Sequence, residues 1–131
     1  MIPGSVLLHR DFQFSDGESA DKLLVVLSPA KNGQILAVKT TSQQKRRPLK
    51  DGCHPDIRES VFVFNANPDK FKKTTWIILD PIVLEVSVLE KRIGEGIVRK
   101  LFDLNQTNAK AISNCLKRCD EVSPVHLEFL V

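Results

Sequence analysis

Between the apolar runs QILAV and SVFVF the chain carries KTTSQQKRRPLKDGCHPDIRE, Lys39–Glu59. Lys39, Lys45, Arg46, Arg47 and Lys50 all precede its first acid, Asp51. Thr41, Ser42 and Gln43 add hydroxyl and amide donors ahead of the basic run. Cations and neutral donors in one stretch are what a phosphate backbone requires of a protein surface. Lys70, Lys72 and Lys73 form a second basic group. A merely solvated loop has the same composition, so charge alone does not decide between the two. Of the three histidines, His9 and His54 are the obvious candidates to carry protons near neutrality. Cys115 and Cys119 lie four apart on an expected helix, hence on one face. With Cys53 and His54 they make a zinc set only through a long-range coincidence, and they lack the tight knuckle of a structural site. An odd cysteine count without an export signal argues against a disulfide framework, which leaves buried reduced thiols.

These side chains need a scaffold. The chain has 131 residues, 42% hydrophobic and 27% charged, which suits one globular domain over 1–131. Net charge is +3, too small to identify a nucleic-acid partner by itself. No apolar run nears the roughly 18 residues that span a bilayer, so no membrane partner is expected. The opening MIPGSVLLHRDF lacks a basic start and a long apolar run, so the expected location is the cytoplasm.

The first half reads as strands. GSVLLHR (Gly4–Arg10) is the first, followed by the turn-rich FSDGESAD, whose strongest signal is Asp16-Gly17. KLLVVLS (Lys22–Ser28) is apolar on both faces and reads as a central strand. Asn32-Gly33 predicts a hairpin into ILAVKTT, Ile35–Thr41. Ser60–Asn65 and Thr74–Val86 are further strands, the latter broken at Asp80-Pro81. Ser87-x-x-Glu90 predicts a short capped helical turn to Arg92. Ile93–Leu101 reads as a glycine-containing strand, and Asp103–Cys119 as a helix beginning at Asp103 and Gln106. The core covers about residues 2–119, and the tail 120–131 is either an added edge strand or a loose extension. Five or six strands with a terminal helix imply an α+β, mainly β fold: a small barrel or curved antiparallel sheet, a short helix and a C-terminal helix.

This order resembles the MazF/PemK (Kid) toxins of bacterial toxin–antitoxin systems. The resemblance lies in IPGSVLLHRDFQFSDGESADKLLVVLSP, in ILAVKTTSQQ and in TTWIILDPIVLEVSVLEKRIGEGIVRKL with the final helix. It implies an SH3-like barrel of the MazF/Kid/CcdB kind. It also implies a sequence-specific, metal-independent endoribonuclease that cuts single-stranded RNA without a cofactor. Such toxins are homodimers whose RNA groove is occupied by a cognate antitoxin.

Metal-free RNA cleavage must deprotonate a 2′-hydroxyl, stabilise a phosphorane and protonate the leaving 5′-oxygen. The resemblance assigns these tasks to Lys22, Thr41, Ser42 and Asp80. It places Asp16, Gln43, Lys45, Arg46, Arg47 and His54 on the RNA, with the basic loop overhanging the groove and ordering as RNA binds. Phe12 and Phe14 can stack on bases or pack in the core. Two positions depart from the family pattern. Lys22 stands where Arg followed by Pro is usual, which keeps the charge and loses the guanidinium fork. Ile78 stands where one branch of the family pairs an Arg with the acid at Asp80. A catalytically weakened relative that binds RNA or protein, or an unrelated small β-barrel module, meets the same pattern.

Overall fold

The computed structural model describes residues 1–130. Val131, the last residue of the expected tail, lies outside the described residues. The chain forms β1 (Ser5–Gln13), β2 (Ser19–Val26), β3 (Gln34–Thr41), β4 (Gly52–His54), β5 (Val61–Phe64), β6 (Thr75–Ile78), β7 (Ile82–Glu85), α1 (Val86–Gly94), β8 (Val98–Asp103), α2 (Gln106–Arg118) and α3 (Pro124–Leu127), then a 3₁₀ turn, Glu128–Leu130. The fold is α+β and mainly β.

All strand pairings are antiparallel, in the order β4-β5-β6-β3-β2-β1-β8. β7 pairs with the first half of β3, and β6 with its end at Thr40 and Thr41. The break at Asp80-Pro81 therefore divides one stretch of chain into two strands along the same edge of β3. Proline has no N–H to give to a ladder, so the break falls there.

Strand alternation buries both faces of the central strands. On one face Val6, Val25, Leu36, Val38, Phe62 and Ile77 pack with Ile112, Cys115 and Leu116 of α2. The opposite face carries two separate apolar clusters. One joins Leu7, Val26, Ile35 and Val98 to Leu89 of α1. The other joins Val61, Val63 and Trp76. Gly4, which precedes β1, has φ +97°, and a Cβ there would lie 3.1 Å from that of Ala109 on α2. A glycine is needed both for that dihedral and for the close approach of the helix.

Several boundaries and caps differ from expectation. The sheet has eight strands, because β4 lies hidden in the polar loop and the break at Asp80-Pro81 makes two strands, β6 and β7, of one; the β1–β2 hairpin also runs on past a bulge between His9 and Phe12. The helical turn is a longer helix that takes in Ile93. Glu85, not Ser87, stands at its N-cap, and makes no side-chain capping bond. Asn105, not Asp103, caps α2, its side chain accepting from Thr107 N at 2.8 Å. Asp103 ends β8 and accepts from Ser5 Oγ and Lys100 Nζ. The tail is neither an edge strand nor a loose extension but a helical turn packed through Val122, Phe129 and Leu130 onto the α2 side of the core.

The cysteine expectation is corrected. Cys53 of β4 and Cys115 of α2 form a disulfide with their Cα atoms 5.5 Å apart. The odd count concealed this pair because nothing in the sequence places a three-residue strand against α2. Cys119 stays a free, buried thiol whose Sγ donates to the Cys115 carbonyl. Burial pushes that thiol's pKa up. No cluster able to hold a metal ion occurs among the described residues. No helix among them is long and apolar enough to cross a membrane.

The disulfide joins residues 62 apart in sequence. Its removal by Cys53→Ser is expected to destabilise the fold by about 2–4 kcal/mol. Urea unfolding of the oxidised protein and of the variant measures the difference; an unchanged midpoint would show that β4 is held without it.

Candidate functional site

β2 and β3 pair with Leu24 opposite Lys39. Continuing that register two residues sets Lys22 opposite Thr41, with both on the same face as Lys39. The Lys22 Nζ donates to the Thr40 carbonyl at 3.1 Å. Thr41 in turn pairs with Trp76 of β6. These polar residues thus emerge between the two apolar clusters on the face away from α2. Leu89 and its neighbours flank them on one side, and Trp76 does so on the other.

The tip of the first hairpin closes over this position. Phe14 accepts from Gly17 N and donates to Glu18 O, a turn completed by Gly17 at φ +89°. The Lys22 and Lys39 ammonium groups lie 5.6 and 5.7 Å from the centre of the Phe14 ring. Phe12 packs edge-on against both Phe14 and His9. Neither phenylalanine belongs to the core clusters. Phe14, half-buried, gathers two cations, each such contact being worth roughly 0.5–1 kcal/mol at an exposed site.

The basic loop supplies the opposite wall. Trp76 Nε1 donates to the Pro48 carbonyl at 2.6 Å, and Asn65 Nδ2 to that of Leu49 at 2.8 Å. Asp51 accepts from the backbone N–H groups of Asn65 and Ala66. β4 then pairs with β5, and the disulfide ties β4 to α2. These bonds, the β4–β5 pairing and the disulfide pin the loop. Its tight turn puts Lys45 at φ +49°, a left-handed conformation that costs a residue with a Cβ about 1–2 kcal/mol. Arg47 follows, donating from Nη1 to the Gln43 carbonyl and from Nε and Nη2 to the Glu59 carboxylate at 2.6 and 3.3 Å.

Together these elements enclose an open inner cleft of about 240 Å³, lined by Phe14, Lys22, Lys39, Thr41, Gln43, Lys45, Arg47, Glu59 and Ile78. Its side chains are four cations, a hydroxyl, an amide, one carboxylate and two apolar surfaces. Burial first, then the charges of Lys39, Arg47 and Lys45, lowers the pKa of Lys22 below the usual lysine value. A cleft of this sign attracts an anion.

Beyond the inner cleft, and sharing Lys45, Arg47, Glu59 and Ile78 with it, lies a wider groove of about 1280 Å³. Arg46, Arg58, Asp80, Glu121 and His126 are among its lining residues. The two spaces are neighbours that share these four residues.

Of the residues singled out from sequence, Lys22, Thr41, Gln43, Lys45 and Arg47 come together in the inner cleft. Arg46 and Asp80 face the wider groove. Ser42 is exposed and lines neither space. Asp16 accepts from Glu18 N at 3.0 Å, closing the hairpin tip. His54 Nε2 meets the Lys50 carbonyl at 2.7 Å, again outside both spaces. His9 is buried, with Nδ1 donating to the Arg10 carbonyl and Nε2 accepting from Arg92 Nη1. Sequence reasoning missed Glu59, and it read Phe14 as a stacking or core residue. The only signal for Glu59 was its place just ahead of β5.

No protein-family model matches the chain, and no curated protein matches its sequence.

The lowered pKa of Lys22 has a signed consequence. The folded state holds its proton more weakly than the unfolded chain does. The unfavourable contribution is full below the folded-state pKa. It fades as pH rises from there toward the ordinary value of 10.5. Amine-detected NMR titration is expected to give Lys22 a midpoint below those of the exposed lysines, and Lys39→Gln is expected to raise it. An unmoved midpoint in Lys39→Gln would show that the two ammonium groups do not share the cleft.

Proposed function

We propose that this chain is the toxin of a toxin–antitoxin pair, a metal-independent endoribonuclease that cuts single-stranded RNA. The observation that carries the reading is the inner cleft: Lys22, Lys39, Lys45 and Arg47 converge on one small space beside the Thr41 hydroxyl. In this reading a phosphate enters that space. Lys22 faces the leaving oxygen, and Thr41, Lys39 and Lys45 stabilise charge on the phosphorane. The wider groove takes the flanking nucleotides, with Arg46 and Arg58 on their phosphates. A pinned loop favours this use, since ordering it would otherwise subtract from affinity.

The curved sheet is read as the SH3-like barrel of the MazF/Kid/CcdB kind, acting in the cytoplasm as a homodimer. The antitoxin then competes with RNA for the same cationic groove. A weakened relative that binds RNA without cutting is the second reading, and the departures at Lys22 and Ile78 favour it. Ile78 lines the inner cleft, so the guanidinium there comes from Arg47 instead.

The test is binding and cutting of a long single-stranded RNA in EDTA by the wild type, Lys22→Ala and Thr41→Ala. Discrete cuts by the wild type, weakened at least about 100-fold in Lys22→Ala, are expected. Three or four neutralised phosphates predict a salt slope of about −2 to −3 in a log–log plot of affinity. Salt-sensitive binding with no cuts selects the second reading; neither binding nor cutting rejects both.

A further inference from the structure

We propose that the carboxylate of Glu59 is the general base of the inner cleft, accepting the 2′-hydroxyl proton of the bound RNA; this rests on the ribonuclease reading above. Glu59 is the one carboxylate lining the inner cleft among the described residues. For anion binding alone it is a liability, because it repels the phosphate that the neighbouring cations attract. Its place there is explained if it handles a proton.

The geometry suits that task. Arg47 holds the carboxylate through Nε and Nη2, and is itself fixed by its bond to the Gln43 carbonyl. The carboxylate is thereby oriented, while its side chain stays 47% exposed and open to a ligand. Two contacts from Arg47 leave lone pairs free on both oxygens. The other proton carriers are elsewhere. His9 is buried with both ring nitrogens engaged, His54 is tied to the Lys50 carbonyl outside both spaces, and His126, Asp56, Asp80, Asp120 and Glu121 line only the wider groove.

The step balances without a further reactant. Glu59 takes the 2′-hydroxyl proton as the 2′-oxygen forms a bond to phosphorus. The bond from phosphorus to the 5′-oxygen breaks, and the Lys22 ammonium gives that oxygen a proton. The products are a 2′,3′-cyclic phosphate and a 5′-hydroxyl. Solvent then returns Glu59 and Lys22 to their starting states.

The experiment compares wild type, Glu59→Gln and Glu59→Asp as full chains in EDTA. It reads the cutting rate of single-stranded RNA against pH, the affinity for an uncleavable all-2′-deoxy strand, and the melting temperature. Glu59→Gln is expected to bind the deoxy strand as tightly as wild type or more so. Its cutting falls about 100-fold or more, and the acid limb of the pH–rate profile disappears. Glu59→Asp keeps the limb at a reduced rate. Cutting by Glu59→Gln within about threefold of wild type, with an unchanged pH profile, overturns the proposal and leaves the ribonuclease reading standing. A loss of cutting matched by equal losses of binding and melting temperature also overturns it, because Glu59 would then only anchor Arg47. Wild type that binds RNA without cutting it overturns both.

Discussion

Repulsion among like charges is the constraint on which this molecule's arrangement turns. Lys22, Lys39, Lys45 and Arg47 share one small cleft, and ammonium groups left to themselves would splay into solvent. Three devices oppose that. The Phe14 ring underlies two of the cations. The Thr40 carbonyl accepts from Lys22. The Glu59 carboxylate neutralises Arg47 at the rim. Each depends on something rigid behind it: the bulged first hairpin, the β2–β3 ladder, and a loop clamped by Trp76, Asn65 and the disulfide. The depressed pKa of Lys22 reflects burial first, and then the repulsion that these devices do not remove.

The same arrangement separates attraction from chemistry. Attraction needs only the sum of the charges, and the wider groove adds Arg46 and Arg58 to it. Chemistry needs a proton acceptor and a proton donor on opposite sides of one phosphate. In a cleft built for attraction alone Glu59 only holds Arg47 in place. In the proposed ribonuclease it also accepts a proton, so the effect of Glu59 on cutting, rather than on binding, separates the two readings.

Much of this was legible in the sequence. The apolar run Leu24–Leu27 gave a strand buried on both faces, and Asn32-Gly33 gave its hairpin turn, with Asn32 and Gly33 at φ +52° and +75°. The partner of Lys22 was not legible. Lys31 pairs with Gln34 at the turn, yet Val26 pairs with Ala37, so the register slips by two between them. A two-residue turn continued without that slip would set Lys22 opposite Gln43; the slip brings Thr41 there instead. The Ser28 side chain, accepting from Leu36 N, holds the irregularity. Short-range patterns also hid β4, whose three residues carry no apolar alternation, and with it the meeting of Cys53 and Cys115. Glu59 was invisible for a related reason. Its role comes from where the loop returns, and that is fixed by contacts of Trp76 and Asn65 distant in sequence.

The central claim is that this cleft breaks RNA by activating the strand's own 2′-hydroxyl. The most direct measurement is mass spectrometry of the fragment ends after a long single-stranded RNA is incubated with the protein in EDTA. The account predicts fragments ending in a 2′,3′-cyclic phosphate, or the 3′-phosphate formed by its hydrolysis, and beginning with a 5′-hydroxyl. Fragments with 3′-hydroxyl and 5′-phosphate ends, or no fragments at all, would contradict it.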